Sequence, residues 1–193
     1  MASFSGEPKT VWSTEHGRDR RMTLLEDFWF VDRAQARWDA PKGSVVDGAT
    51  IPRPLWALVG SPYTGDYRRA SVVHDIACDN AETSADRRKA DRMFFEACRA
   101  GGCSLWDSIV LYVGVRVGAW WGSVSLLDDR PARLELAPDE RELIRDFQEI
   151  AQTVLSQGES DDPAIVEGRV DDAMQSLVAR KMAAAALASQ SIR

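Results

Sequence analysis

The sequence predicts an α+β fold: a small N-terminal β-hairpin or meander, then a three-helix core and a C-terminal helical extension. Strand-forming and turn-forming residues dominate up to about residue 56, whereas apolar residues recur at helical spacing beyond residue 67. A length of 193 residues suits one domain with an appendage. We therefore expect an α+β core domain over residues 1–125 and a helical extension over residues 126–193.

The N-terminal segment is rich in residues that favour strands. Residues 24–31 carry several aromatic and β-branched side chains, and the turn-forming sequence at 41–43 is followed by the β-branched residues of 44–46. This order predicts a hairpin or small meander. Prolines interrupt the segment that follows, so residues 47–66 are predicted to form an irregular loop.

Three core helices are predicted over residues 67–79, 85–100 and 104–121. The second ends at Gly101-Gly102, and Ser104 opens the third with a capping-box sequence. In the extension, an apolar stripe after residue 137 and an alanine-rich segment over about 164–189 predict two more helices.

The charge balance argues against binding to nucleic acid. The chain has 24 basic and 30 acidic residues and a net charge of -6, whereas nucleic-acid binders need a basic surface. Two short basic runs, at residues 18–21 and 87–89, are expected to be solvated faces.

Cysteine usage and hydropathy predict a cytoplasmic protein. Three cysteines, at positions 78, 98 and 103, are odd in number and too few for a disulfide framework. The first residues lack the basic start and apolar core of a signal peptide. The longest apolar stretch, 109–121, contains Arg116 and is shorter than the ~20 residues of a membrane span. We expect no transmembrane segment.

One histidine lies where it can meet a carboxylate. If the first two core helices form an antiparallel hairpin, residues whose numbers sum to about 165 face each other, which places His74 opposite Asp91. A carboxylate against an imidazole fixes its tautomer and raises its basicity. His74 is therefore a candidate general base and Asp91 its orienting partner. The alternative is a structural histidine with a local hydrogen bond.

A metal site is predicted beside this pair. Neighbouring helical side chains diverge by ~100°, so Asp75 points away from His74 and could meet the loop that contains Asp47 and Gly48. Two carboxylates and backbone carbonyls suit Ca²⁺. Asp47 and Asp75 are therefore candidate metal ligands, and a bound Ca²⁺ would polarise an ester carbonyl while His74 deprotonates a water.

Three stretches resemble an uncharacterised phage and prophage domain family of unknown function. They are Val-Asp-Gly-Ala-Thr-Ile-Pro at 46–52, Ala-Ser-Val-Val-His-Asp at 70–75 and Ala-Asp-Arg-Met-Phe-Phe at 90–95. The resemblance spans about residues 20–122. It implies a phage or prophage protein that is made in the host cytoplasm and is associated with the virion, with the C-terminal helices contacting other virion proteins.

The same order of motifs is more distantly similar to the bacterial and fungal type of phospholipase A2. That family hydrolyses glycerophospholipid esters at lipid surfaces. The resemblance implies a phospholipase A2-like core in which His74 is the base, Asp91 its partner, and Asp47 and Asp75 bind Ca²⁺.

Two residues depart from the phospholipase pattern. Ser71 stands where that family usually has a disulfide-bonded cysteine, and Cys78 stands where it usually has a tyrosine that braces the catalytic pair. These differences imply either a version built for the cytoplasm or a scaffold that no longer catalyses.

Two other functions remain open. One is a non-catalytic virion structural or assembly component, in which the histidine site is structural. The other is a metal phosphohydrolase of the HD type, in which a separate upstream histidine is a ligand, and His16 is the residue available for that role.

Overall fold

A computed structural model describes residues 1–13, 21–46, 51–60, 65–126 and 140–190. The strands in these ranges are β1 (Ser3–Phe4), β2 (Thr10–Ser13), β3 (Arg21–Leu24), β4 (Phe28–Val31), β5 (Arg37–Ala40) and β6 (Val45–Val46). The helices are α1 (Trp56–Val59), α2 (Arg68–Asp79), α3 (Ser84–Gly101), α4 (Leu105–Leu126), α5 (Glu140–Ser156) and α6 (Pro163–Gln190). Antiparallel strands followed by helices confirm the predicted α+β class.

The strands form two small antiparallel sheets, with the orders β1-β4-β5 and β2-β3-β6. The segment 24–31 splits into two strands, because β3 ends at Leu24 and β4 begins at Phe28. The turn at 41–43 does not close a hairpin: β5 pairs with β4, and β6 pairs with β3. This turn instead carries the chain from one sheet to the other.

The predicted irregular loop contains helical structure in its described part. A 3₁₀ turn over Arg53–Leu55 leads directly into α1. Proline lacks the N–H that a strand needs but is tolerated in the first turn of a helix, so Pro54 permits this helical start. The Trp56 Nε1–H donates to the Ile51 carbonyl at 2.8 Å, and Leu55 is fully buried.

The core helices lie within a few residues of their predicted bounds. Thr83 caps α3 by accepting the backbone N–H of Asp86 at 3.1 Å. Gly102, with a φ of 110°, ends α3 in the left-handed conformation that favours glycine. Ser104 then caps α4 by accepting the Asp107 N–H at 3.0 Å. Gly102 and Ser104 stand where the sequence predicted a helix end, whereas the sequence analysis did not identify the Thr83 cap.

Helices α5 and α6 join the same apolar core as α2, α3 and α4. Their contribution is a set of buried aliphatic and aromatic side chains, which includes Leu143, Phe147, Ile150, Val166 and Val170. Among the described residues, no helix is both long enough and apolar enough to cross a membrane.

Candidate functional site

His74 and Asp91 meet in the interior, between α2 and α3. His74 Nε2 lies 2.9 Å from Asp91 Oδ1, and the two side chains are 1% and 0% exposed. The ring of Phe94 covers the imidazole at 4.6 Å between centroids. The structure therefore brings together the two residues that the helix spacing placed opposite each other; their catalytic roles stay a prediction.

Cys78 is a third member of this site. It follows His74 by one helical turn on α2, and its Sγ lies 3.4 Å from His74 Nε2. The acid and the thiol therefore both contact Nε2, whereas in a catalytic triad they contact opposite ring nitrogens. The arrangement does not match a cysteine triad, and Nδ1 is the ring nitrogen that these two contacts leave for proton transfer.

The surroundings of His74 favour its protonated form. Burial acts to lower the pKa of the imidazole, but the charge interaction with Cys78 and the hydrogen bonds to Asp91 and Cys78 outweigh it. Together these raise the pKa of His74 to about 9. His74 is therefore an imidazolium at neutral pH, held between the side chains of Asp91 and Cys78.

Asp91 also faces two arginines. Arg87 Nε lies 3.7 Å from Oδ1, and Arg116 Nη1 lies 3.6 Å from Oδ2. Oδ2 accepts no hydrogen bond from the residues that the structure describes. Arg116 Nη2 also donates to Asp171 Oδ1 on α6 at 2.7 Å. A single guanidinium thus lies between the buried Asp91 and the C-terminal helix.

The basic run at 87–89 is only partly a solvated face. Arg88 pairs with Asp171 and lies 3.4 Å from Glu167, both on α6, while Lys89 extends outward to Asp86. Arg88 is about half exposed, but it also pairs with the acidic side of α6, which packs across this part of α3. Residues 18–20 of the other basic run lie outside the described ranges.

The structure places one of the two predicted metal ligands. Asp75 is buried on α2 beside His74 and is 7% exposed. Asp47 lies outside the described residues, as does His16. The Ca²⁺ assignment therefore remains a prediction.

A different set of donors does converge. His74, Cys78 and Asp91 each offer one ligand atom, and the three atoms lie within 4.8 Å of one another. Sequence reasoning gave Cys78 no ligand role. The signal that could have found it is its position four residues after His74, on the same face of a helix.

Comparisons with known proteins identify relatives without an assigned activity. The chain is 37% identical over 92 residues to the uncharacterized protein y4jT of Sinorhizobium fredii, covering 48% of this chain and 27% of that protein. It is 34% identical over 100 residues to the uncharacterized protein y4iH of the same organism, covering 51% of this chain and 41% of that protein. The chain thus spans less than half the length of either relative. No solved structure gives a significant match.

The match to a protein family covers the part of the chain that holds the site. The resemblance to a family of unknown function, expected over about residues 20–122, is confirmed over nearly the same segment. Residues 22–115 match the family described as "Protein of unknown function (DUF1353)".

Proposed function

We propose that this chain is a phage or prophage protein with a phospholipase A2-like, Ca²⁺-dependent ester hydrolase site. His74 is the general base in this proposal, and Asp91 orients it. The observation that carries the proposal is the buried 2.9 Å contact between His74 Nε2 and Asp91 Oδ1. A base needs an oriented ring with one nitrogen held by an acceptor, and this contact supplies that arrangement.

The proton transfer follows from which ring nitrogen is held. With Nε2–H donated to Asp91, Nδ1 takes a proton from water as the water oxygen attacks the ester carbonyl, and it then returns this proton to the leaving alcohol oxygen as the ester C–O bond breaks. A pKa of about 9 leaves roughly one His74 in a hundred neutral at pH 7. Hydrolysis should therefore rise with pH until the base is fully deprotonated.

Ca²⁺ would be held by Asp75 and Asp47. The carboxylate of Asp75 is a hard oxygen donor in a buried position, which fits the ligand chemistry of Ca²⁺. Asp47 is proposed from its residue type and its place in a glycine-containing loop. The bound ion would polarise the ester carbonyl of a glycerophospholipid.

A non-catalytic virion component is the second candidate function. Apolar side chains on α6 support it, because Met182 and Leu187 are 69% and 65% exposed. Large exposed apolar side chains on one helix are typical of a contact with another protein. Mass spectrometry of purified phage particles tests this candidate, and absence of the chain from them would count against it.

The hydrolase proposal is tested by fatty-acid release from mixed phospholipid liposomes in the presence of Ca²⁺, measured from pH 6 to pH 10. We expect release by the wild type, a loss of about 100-fold or more in His74→Gln, and no loss in the control His16→Gln. Equal release by wild type and His74→Gln, or none by folded wild type, would contradict the proposal. Loss of bound metal in His16→Gln would instead support the HD-type phosphohydrolase.

A further inference from the structure

The donor set of His74, Cys78 and Asp91 is assembled from two neighbouring helices. His74 and Cys78 project from successive turns of α2, and Asp91 projects from α3 toward both. His74 Nε2 lies 2.9 Å from Asp91 Oδ1 and 3.4 Å from Cys78 Sγ. One nitrogen, one sulfur and one oxygen donor thus surround a common point.

These separations are close to those of ligands around a tetrahedral zinc ion. Zinc bonds of ~2.0 Å to nitrogen and oxygen and ~2.3 Å to sulfur place the ligand atoms roughly 3.3 to 3.5 Å apart. The nitrogen–sulfur distance of 3.4 Å already meets this requirement, and the nitrogen–oxygen distance of 2.9 Å has to widen by a few tenths of an ångström. The third separation, between the sulfur and carboxylate oxygen donors, lies within 4.8 Å, so side-chain rotations that bring it toward ~3.5 Å complete the site.

The charge and the hydrogen bonding of the site also suit a cation with a preference for sulfur. A thiolate and a carboxylate together neutralise a divalent ion, which lowers the cost of burying it. Asp91 is fully buried, yet its Oδ2 accepts no hydrogen bond from the described residues. Its carboxylate therefore has unused acceptor capacity.

The positive charges of the two arginines near Asp91 repel a bound cation, and this repulsion is reduced for Arg116. Arg116 Nη2 is bound to Asp171 at 2.7 Å, so part of its charge is balanced by α6. Arg87 Nε stands 3.7 Å from Oδ1, beyond hydrogen-bond distance, and its side chain is partly exposed.

We propose that His74, Cys78 and Asp91 bind one thiophilic divalent ion, represented by Zn²⁺. Coordination uses the Cys78 thiolate and the neutral imidazole, so the protons of the thiol and the ring are released to solvent. Three protein ligands leave a fourth position open. The ion also takes Nε2 from Asp91, so it should inhibit the hydrolysis proposed above; that consequence rests on the proposed function, whereas the binding does not.

The binding is tested on the full chain with Co²⁺ as an optical probe for zinc sites, under a reductant that does not bind metals. Wild type should take up one Co²⁺ per chain and develop a thiolate-to-cobalt charge-transfer band, which Zn²⁺ then abolishes. Cys78→Ser should lose the band and bind at least about tenfold more weakly, while the matched control Cys103→Ser keeps both. Absence of the band in wild type, or its persistence in Cys78→Ser, would overturn the site.

A second measurement requires no variant. Zn²⁺ should slow alkylation of Cys78 in the wild type at least about tenfold, as read by peptide mass spectrometry, because the bound thiolate is no longer the free nucleophile. Equal alkylation with and without Zn²⁺ would contradict the site. Neither measurement uses a lipid, so failure of metal binding and failure of liposome hydrolysis are separate results.

Discussion

Two of the regions in which charged side chains join helices lie in opposite environments. Between α2 and α3, His74 and Asp91 are enclosed and covered by Phe94. Between α3 and α6, Arg88 and its acidic partners lie at the edge, where the arginine is about half exposed. The first contact has lost its hydration completely, whereas the second still exchanges with water. The same type of ion pair should therefore contribute very differently to stability.

Arg116 connects the two regions. It lies 3.6 Å from Asp91 in the interior and hydrogen-bonds Asp171 on α6 at 2.7 Å. The C-terminal helix thus shares a cation with the candidate site. Substitutions on each side of Arg116 therefore separate what the buried pair and the half-exposed pairs each contribute to the free energy of unfolding.

The largest effect is expected from removing the buried carboxylate. Asp91→Ala leaves the His74 imidazolium without its carboxylate partner in a dry interior, so we expect a loss of about 3–5 kcal/mol in the free energy of unfolding. Urea denaturation followed by circular dichroism measures it, with the exposed Asp172→Ala as control. A loss below about 1 kcal/mol would mean that the buried pair is not stronger than a surface pair.

Raising the pH should lower the free energy of unfolding by a smaller amount. The pKa of His74 is about 9 in the folded chain against 6.5 ordinarily, so its stabilisation is complete below about pH 6.5 and is lost as pH rises through 9. Between pH 6.5 and pH 9 the free energy of unfolding of the wild type should fall by about 3 kcal/mol relative to that of His74→Gln. Parallel stability curves for the two proteins would contradict a raised pKa.

Substitutions in the α3–α6 contact should lower the free energy of unfolding by less than Asp91→Ala does, and this loss should depend on salt concentration. Glu167 is 10% exposed and bonds Arg92 Nε at 2.7 Å, so we expect Glu167→Gln to cost about 1–2 kcal/mol at low ionic strength. This loss should shrink in high salt because the arginine partners of Glu167 are about half exposed and salt screens them. The Asp91→Ala loss should remain in the same salt, and equal salt dependence of the two would remove the distinction between the regions.

The smallest effect is expected at a fully solvated pair. Lys9 Nζ and Glu26 Oε1 are 2.9 Å apart, with both side chains more than half exposed. Lys9→Gln should change the free energy of unfolding by about 0.5 kcal/mol or less. A change comparable to that of Glu167→Gln would show that exposure does not rank these pairs.

The sequence predicted the parts of the site that depend on local order. A short turn joins α2 to α3 in antiparallel fashion, so the count along the chain was sufficient to place His74 opposite Asp91. The helix ends followed from side chains within a few residues, such as Gly102 and Ser104.

The parts that were missed depend on distant packing. Asp171 lies 55 residues from Arg116, and no local spacing fixes how α6 crosses α4. Strand pairing was missed for a related reason, because a turn signal at 41–43 marks a change of direction without saying which strand will be the neighbour. The contact of Cys78 with His74 could have been read from their i, i+4 spacing.

The titration of His74 tests the buried pair most directly. The chain has two histidines, so His16→Gln leaves one imidazole whose ring signals can be followed by NMR against pH. The hydrogen bond to Asp91 and the contact with Cys78 predict a midpoint near 9, which should fall clearly when Asp91→Asn is added. A midpoint at or below 6.5, unchanged by Asp91→Asn, would contradict a carboxylate-oriented imidazole and the general base built on it.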